Sequence, residues 1–164
     1  MSKSYTIVQF LESVSEGFEF TRRTWPLHST VVDTFSITWD VEKLITELEK
    51  YLADHDKAHT EADADAQFGE KGQVHVITLA MTDSVISLHI DLVRLLEKGD
   101  VKFEKPQYVR SGFIPHATVQ SHARLRRGDK VQFDSLSIID MRPDHAVTHR
   151  KVIKTLPVGS KYVR

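Results

Sequence analysis

The pattern of apolar and polar positions changes several times along the chain, and each change marks a predicted element. Runs rich in β-branched and aromatic residues are typical of strands. Two such runs late in the chain are joined across residues 142–149, and a short one follows a proline. The predicted strands are 5–12 (YTIVQFLE), 27–37 (LHSTVVDTFSI), 74–81 (VHVITLAM), 115–121 (PHATVQS), 130–141 (KVQFDSLSIIDM) and 150–158 (RKVIKTLPV).

Two segments instead repeat their apolar residues at helical spacing. The first begins at Asp40, a residue suited to the N-cap, and covers residues 40–55. The second is capped by Thr82 or Asp83 and ends near Gly99. The predicted apolar faces are Val41, Leu44, Ile45, Leu48, Tyr51 and Leu52 in the first helix, and Val85, Ile86, Leu88, Leu92, Val93, Leu95 and Leu96 in the second.

Between these helices, residues 55–72 (HDKAHTEADADAQFGEKG) are the least structured in appearance. The alternating acidic residues within this segment lack the glycine and the terminal glutamate of an EF-hand loop, so we interpret them as a solvated strand face or a loop. Strands mixed with two outer helices predict an α+β protein. Each half of the chain contains one helix and one similar strand, which predicts two related lobes.

Composition supports one globular domain, 1–164, made of these two lobes: 40% of residues are hydrophobic and 27% are charged. The net charge of −1 predicts no global attraction to nucleic acid or membrane, so an anion site must be local. The absence of cysteine excludes thiolate catalysis and disulfides and fits a reducing compartment. Because no signal peptide or run of about 20 apolar residues is present, we expect a cytoplasmic protein without membrane attachment.

Two short motifs share the pattern His-x-Thr. The first lies in PLHST at residues 26–30, and the second lies in PHATV at residues 115–119, inside basic sequence. On a strand, residues i and i+2 project from the same face, about 6.6 Å apart. His28 and Thr30 then point one way, as do His116 and Thr118, while Ser29 and Ala117 point toward packing. Two imidazoles and two hydroxyls can therefore line one cleft.

This set of groups suits in-line attack on a phosphodiester. A neutral histidine takes a proton from the attacking water or hydroxyl, and a protonated histidine opposite donates one to the departing oxygen. Ordinary histidine pKa values near 6.5 allow both states at physiological pH. Threonine hydroxyls can hold the phosphoryl oxygens. The sequence predicts catalysis by His28 and His116, phosphate binding by Thr30 and Thr118, and no metal or cofactor.

The paired motifs, with proline before the second (IPHATVQ), resemble the 2H phosphoesterase superfamily, and most of all its bacterial 2',5' RNA ligase and cyclic phosphodiesterase branch. The resemblance implies a bilobal α+β fold with pseudo-two-fold symmetry, in which two mostly antiparallel sheets carry helices outside and enclose a central cleft. It also implies cleavage of a 2',3'-cyclic phosphate or a related nucleotide or RNA phosphodiester, reversible as 2',5' ligation. The implied partner is a nucleotide or RNA with a cyclic phosphate or a 2',5' linkage.

The chain departs from this family where many relatives carry a basic residue two positions after the second threonine, because Gln120 stands there. The expected substrate contacts are Arg110, Tyr108, Gln120 and Trp25. The positive charge that Gln120 lacks can come from Arg110, Arg124, Arg126, Arg142 or His149, and the sequence does not choose among them.

Two other functions compete with catalysis. A binding module would hold a nucleotide or an RNA end in the same cleft without turnover, although four intact motif residues favour an enzyme. A structural protein with accidental motifs would keep His28 and His116 far apart. The i,i+4 pairs His55/His59 and His145/His149 lack a third metal ligand at a convincing spacing. The sequence leaves open the oligomeric state, the direction of the reaction and the acid and base roles.

Overall fold

The computed structural model describes residues 3–160. Each predicted strand run forms at least one strand, and two short strands that the sequence pattern did not predict lie at 19–21 and 102–103. The strands are β1 (Tyr5–Phe10), β2 (Glu19–Thr21), β3 (His28–Ser36), β4 (Ala58–Phe68), β5 (Val74–Leu79), β6 (Lys102–Phe103), β7 (His116–Thr118), β8 (Lys130–Phe133), β9 (Ser135–Asp140) and β10 (His149–Pro157).

The two helices, α1 (Val41–Ala53) and α2 (Asp83–Glu97), begin where the sequence predicts. The Asp40 side chain accepts a hydrogen bond from the Lys43 N–H at 2.8 Å, which caps α1. For α2 the cap is Thr82, whose hydroxyl accepts from the Val85 N–H at 3.4 Å. Neither helix is long and apolar enough to cross a membrane, and no other helix within residues 3–160 is.

All ten strands belong to one hydrogen-bonded sheet whose paired strands run antiparallel. The order β2-β10-β9-β1-β3-β7-β5-β4-β8, with β6 beside β3, divides at the junction of β3 and β7. We call the half from β2 to β3 lobe 1 and the half from β7 to β8 lobe 2. The predicted α+β fold is confirmed, with its two expected sheets joined edge to edge through the strands that carry the His-x-Thr motifs.

Of the two interpretations of the acidic residues in 55–72, a solvated strand face or a loop, the strand is confirmed: β4 has 11 residues and is the longest strand of the sheet. Its first half alternates cleanly: Ala58, Thr60 and Ala62 are buried, whereas His59 and Glu61 are exposed. Alanine and aspartate have low strand propensity, and pairing with β5 and β8 overrides it here.

The prediction of a single strand at 130–141 was wrong, because this segment forms two strands, β8 and β9. The chain leaves lobe 2 at the end of β8 and enters lobe 1 at the start of β9. Buried Gln9 holds this crossing, because its side-chain oxygen accepts hydrogen bonds from the N–H groups of Asp134 and Ser135, each at 3.0 Å. A continuous apolar pattern therefore hid a change of partner strand.

One apolar cluster joins both helices to strands of both lobes. It contains Leu44, Leu48 and Leu52 from α1, together with Leu88 and Leu92 from α2. Burial of these side chains holds the lobes together behind the sheet. The face on which the motif histidines lie is left open as a cleft.

Candidate active site

The two motifs meet at the junction of the lobes. Ser29 of β3 and Ala117 of β7 are register partners in an antiparallel pair. By that register His28 lies across from Thr118, and Thr30 lies across from His116. The two histidines then occupy diagonal corners of a four-residue arrangement, with Cα atoms about 7–8 Å apart by ordinary sheet geometry.

The residues between the motif positions face the interior, as the strand spacing predicts. Ser29 and Ala117 are buried, with 0% and 1% of their surfaces exposed, whereas the four motif side chains are half-buried. Alternation along a strand thus sends one set into the core and the other into the cleft. The expectation that Ser29 and Ala117 serve packing is confirmed.

Both histidines are held by the same backbone contact. The Nδ1 atom of His28 lies 2.8 Å from the carbonyl oxygen of Pro26, and that of His116 lies 2.8 Å from the carbonyl oxygen of Ile114. A carbonyl only accepts, so Nδ1 donates its proton in each ring. The hydrogen bond fixes the tautomer and leaves Nε2 as the nitrogen that exchanges a proton.

Aromatic rings enclose His28. Trp25 stacks on the imidazole with ring centroids 4.3 Å apart, and Phe10 meets it edge-on at 6.4 Å. Loss of solvation in these surroundings lowers the pKa of His28 to about 4, against the opposing effect of the Pro26 carbonyl, and the nearby charge of His116 lowers it further. His28 is therefore neutral at physiological pH.

The surroundings of His116 differ from those of His28 because they include the carboxylate of Asp33. Desolvation again lowers the pKa of His116, and the hydrogen bond to Ile114 opposes that effect. The negative charge of Asp33 then raises the pKa of His116, whereas among residues 3–160 no carboxylate acts in this way on the pKa of His28. Phe68 packs edge-on against His116 at 4.8 Å. Between the two histidines, His116 is thus the one better placed to hold a second proton.

Asp33 is a site residue that the sequence analysis missed. From Tyr5 to Val8, β1 advances three residues while β3 advances from Phe35 back to Thr30, so β3 contains two extra residues. Asp33 lies in the first of these bulges, its side chain lines the cleft, and its Oδ1 accepts from the Thr34 N–H at 2.9 Å. The signal in the sequence was the adjacent pair Val31 and Val32, both buried, which breaks strict alternation.

The cleft has three arms that meet at Asp33. Arm 1, of about 310 Å³, holds His28, Thr30 and Thr118. Arm 2, of about 440 Å³, extends from Thr30 and His116, and aromatic and aliphatic side chains line most of it. Arm 3, also about 310 Å³, is polar and opens from Asp33 and Thr34. The motif residues therefore lie where a ligand can extend in several directions.

Three of the four expected substrate contacts line the cleft. Trp25 and Gln120 lie in arm 1, and Tyr108 lies in arm 2. Arg110 lines none of the three arms; its guanidinium pairs with Glu97 at 3.5 Å.

Of the other cations considered, Arg142 lines arm 3. Arg124 is held at 2.7 Å by Asp65, and that contact together with His75 lowers the pKa of Asp65 to about 2. The positive groups within the arms also include Arg22 and Arg23 in arm 1 and Lys105 in arms 2 and 3. Basic side chains thus surround the cleft without Arg110 or Arg124.

A glutamate ties the two motif regions together. One carboxylate oxygen of Glu12 accepts from the Leu27 N–H, next to the first motif, and from His122 Nε2 at 2.7 Å, beyond the second motif. These contacts lower the pKa of Glu12. The carboxylate therefore braces the cleft across both lobes.

Behind the cleft, His89 of α2 is buried, with 1% of its surface exposed. Its Nδ1 donates to the Val31 carbonyl oxygen at 2.7 Å, and its Nε2 accepts from the Arg110 N–H at 2.9 Å. Its ring stacks on Phe113, with centroids 4.0 Å apart. His89 thereby links β3 to the wall of arm 2.

Within residues 3–160, no three histidine, aspartate or glutamate side chains group so as to hold a metal ion. His55 pairs with Asp91 at 3.0 Å, and His59 lies on β4, so these two histidines do not share a helix face. His145 and His149 flank the turn that leads into β10.

Comparison with solved structures shows a shared fold over almost the whole chain. The Thermus thermophilus protein TT0787 matches with a TM-score of 0.61 and 12% identity, covering 95% of this chain and 98% of that one. A protein described as a phosphoesterase matches at 0.58 and 12% identity, covering 96% and 99%. Escherichia coli LigT complexed with 3'-AMP matches at 0.55 and 13% identity, also covering 96% and 99%.

LigT has further been solved with NADP+ and with ATP. A scan against protein-family models and a search of curated proteins found no match. The structural matches show that the chain shares its fold with a phosphoesterase and with LigT.

Proposed function

We propose that this protein is a phosphodiesterase in which His28 and His116 exchange protons with opposite sides of one phosphorus atom. The observation that carries the proposal is the paired geometry at the junction of the lobes. Each imidazole is tethered through Nδ1 to a carbonyl two residues earlier, so each presents Nε2. Two bases that are fixed in the same way on facing strands suit a displacement in which groups enter and leave on opposite sides.

The proposed reaction opens a nucleoside 2',3'-cyclic phosphate or a related nucleotide or RNA phosphodiester. A water oxygen attacks phosphorus while Nε2 of the neutral histidine takes its proton. The bond from phosphorus to a ribose oxygen breaks, and that oxygen receives the proton from Nε2 of the protonated histidine. One water is consumed and a phosphomonoester is formed. With an RNA 5'-hydroxyl in place of water, the same displacement on a 2',3'-cyclic phosphate forms a 2',5' linkage: the hydroxyl oxygen bonds to phosphorus, and the bond from phosphorus to the 3'-oxygen breaks.

The surroundings of the two rings favour His28 as the base and His116 as the acid in the hydrolytic direction. The aromatic pocket around His28 keeps it neutral, with a pKa of about 4. Asp33 favours the protonated form of His116. The bound phosphate is a second negative charge beside His116, and it favours protonation further. In the reverse reaction, which re-forms the cyclic phosphate, the two roles exchange.

Thr30 and Thr118 are the proposed phosphate ligands. Thr30 lines arms 1 and 2, and Thr118 lines arm 1. By register each threonine lies across from the other motif's histidine. Hydroxyl donors at these corners would bind the non-bridging oxygens, where charge accumulates in the transition state. Acid and base chemistry of this kind requires no metal.

The proposed ligand is a nucleotide. Residues 1–164 are proposed to act as one domain, and the proposed compartment is the cytoplasm. Arm 2 offers a mainly apolar wall beside His116, as a nucleobase requires, and arm 1 offers Arg22 and Arg23. The complexes of LigT with 3'-AMP, NADP+ and ATP support the choice of nucleotides.

The testing experiment incubates the purified protein with the four nucleoside 2',3'-cyclic phosphates and with 2',5'-linked dinucleotides in EDTA. Chromatography then separates the ring-opened and cleaved products. Turnover that persists in the chelator is expected. Tight nucleotide binding without turnover would replace the enzyme with the alternative, a non-catalytic binding module. Turnover that stops in EDTA and returns with added metal would overturn the two-histidine mechanism.

A further inference from the structure

We propose that Arg22, Arg142 and Arg150, here called the arginine cluster, bind a second phosphate group of the substrate. The proposal rests on the proposed function and narrows its substrate class. The favoured substrates are phosphodiesters that carry another phosphate beside the reacting one, such as the end of an oligonucleotide. A nucleoside cyclic monophosphate leaves this site empty.

The cluster is assembled from two neighbouring parts of lobe 1. Arg22 follows β2, and Arg150 lies in β10, which pairs with β2 through Arg150 and Phe20. Arg142 precedes the turn into β10. The backbone N–H of Arg22 also donates to the Thr148 carbonyl at 3.0 Å, so the two parts are joined directly.

The cluster borders the cleft from two sides. Arg22 lines arm 1, whereas Arg142 and Arg150 line arm 3. Met141 contributes to both arms, as do Asp33 and Thr34. A ligand whose reacting phosphate lies between the histidines can therefore extend past Thr34 toward the arginines.

The positive charge of Arg150 is held in place without an ion-pair partner among the described residues. Its Nη1 donates to three backbone carbonyl oxygens, those of Met141 at 3.0 Å, Val147 at 2.8 Å and His149 at 2.9 Å. Carbonyl groups orient a guanidinium but do not neutralise it. Its Nε is buried and forms no hydrogen bond within residues 3–160, so donor capacity remains unused.

Electrostatic repulsion among the three arginines also supports binding of an anion at the arginine cluster. Burial is the main cause that lowers the pKa of Arg150, and the charges of Arg22 and Arg142 lower it further. The negative charge of Glu104 acts in the opposite direction and raises the pKa of Arg150. Like charges that crowd around a partly buried cation are stabilised when an anion binds among them. The positive charges of the arginine cluster therefore favour binding of a negatively charged ligand.

The chemistry of arm 3 selects phosphate over a neutral group. Lys105, Arg142 and Arg150 supply cations, while Asp33 and Glu104 supply the carboxylates. Guanidinium groups bind phosphate oxygens through paired N–H donors. The volume of about 310 Å³ is enough for a phosphate with part of its sugar. The arm therefore suits the phosphate next to the reacting one in a nucleotide chain.

A kinetic experiment isolates the charge of that second phosphate. Two dinucleotides that end in a 2',3'-cyclic phosphate are compared, one with an ordinary internal phosphate and one with a neutral methylphosphonate in its place. In the wild-type protein we expect kcat/KM to be about tenfold higher for the charged linkage. In Arg22→Gln and Arg142→Gln the ratio should fall toward one. Arg127→Gln removes an exposed charge that lines none of the three arms and should keep the wild-type ratio.

Binding of pyrophosphate, measured by calorimetry, tests the cluster without requiring turnover. Arg22→Gln and Arg142→Gln should each weaken binding about tenfold, and Arg127→Gln should not. If no substrate is turned over, the proposed function fails while the pyrophosphate affinities still decide on the cluster. Equal pyrophosphate affinities in all four proteins, or a wild-type kcat/KM ratio of one, would overturn the arginine cluster as a phosphate site.

Discussion

Ser29 and Ala117 form the register pair at which the two lobes of the sheet join. Their own side chains are buried, yet the pairing decides where the residues beside them lie. Each motif presents its histidine opposite the threonine of the other motif. The site is therefore shared equally by the lobes, and neither lobe contains both histidines.

Removal of either motif histidine should abolish most of the activity. We expect His28→Ala and His116→Ala each to lower kcat about 10² to 10⁴-fold, because one proton transfer loses its catalyst in each variant. Initial rates on a nucleoside 2',3'-cyclic phosphate measure the effect. His59→Ala removes an exposed histidine of β4 and should retain activity. Wild-type rates in either motif variant would exclude that residue from the chemistry.

Activity should be greatest on the acidic side of pH 6.5. As pH rises, kcat/KM should increase through about pH 4, where His28 loses its proton. It should fall again as His116 deprotonates, and the pKa of His116 is lowered from 6.5. Rates measured from pH 3.5 to 9 in buffers of constant ionic strength test this profile. A maximum above pH 7.5 would contradict the assignment of acid and base.

Asp33→Asn should move only the basic limb of that profile. The carboxylate raises the pKa of His116, so its loss shifts the decline in kcat/KM to lower pH. The limb near pH 4 belongs to His28 and should stay in place. Asp63→Asn, an exposed substitution on β4, is the matched control. If Asp33→Asn shifted the acidic limb instead, Asp33 would act on His28.

Tyr108 should bind the nucleobase through its ring. It lines arm 2 with 47% of its surface exposed, so a base can stack on it. Tyr108→Ala should raise KM about tenfold with little change in kcat, since stacking on an aromatic ring contributes about 1–3 kcal/mol. Tyr108→Phe keeps the ring and serves as the control. An equal rise in KM for both variants would assign the effect to the hydroxyl.

His89→Ala should destabilise the protein by about 3 kcal/mol. The substitution leaves the Val31 carbonyl and the Arg110 N–H without their partner and removes the ring that stacks on Phe113. Urea denaturation followed by circular dichroism measures the free energy of unfolding. His89→Gln can restore part of the hydrogen bonding and should lose less. A loss below about 0.5 kcal/mol, as expected of an exposed substitution, would contradict the bridging role.

Stability should fall as pH is lowered from about 6.5. The pKa values of His28, His89 and His116 are all lowered in the folded protein, so below 6.5 the unfolded chain binds more protons. The free energy of unfolding therefore decreases from pH 6.5 toward the folded pKa values. Urea midpoints at pH 7.5 and 5.5 measure the decrease. His89→Gln removes one of these groups and should reduce it; an unchanged difference would show that His89 does not contribute.

The four motif residues could be placed from the sequence because two repeated motifs on strands leave few arrangements. A period of two residues fixes which side chains share a face, and the matched motifs indicate that the strands meet. Ser29 and Ala117 could be assigned to the interior for the same reason. The helix cap Asp40 was equally readable, because capping depends on local contacts, whereas the second cap was narrowed only to Thr82 or Asp83, and the structure selects Thr82.

Other features depended on contacts between distant parts of the chain. Asp33 enters the cleft only because β3 bulges, which strict alternation does not anticipate. The acidic strand β4 forms because two neighbours pair with it. The ion pair with Glu97 that occupies Arg110, and the burial of His89, likewise follow from packing between elements.

The order of strands also has a consequence for how the protein is made. Lobe 2 is built from β4, β5, β7 and β8, which come from the middle of the chain, whereas lobe 1 needs β1 and β3 together with β9 and β10. During synthesis the strands of lobe 2 emerge as one continuous part of the chain. In lobe 1, β1 pairs with β9, which is translated more than 120 residues later. We therefore expect lobe 2 to gain protection from hydrogen exchange before lobe 1. The last strands to dock then complete the cleft, because arm 3 is lined by Met141, Arg142 and Arg150 from this final part of the chain.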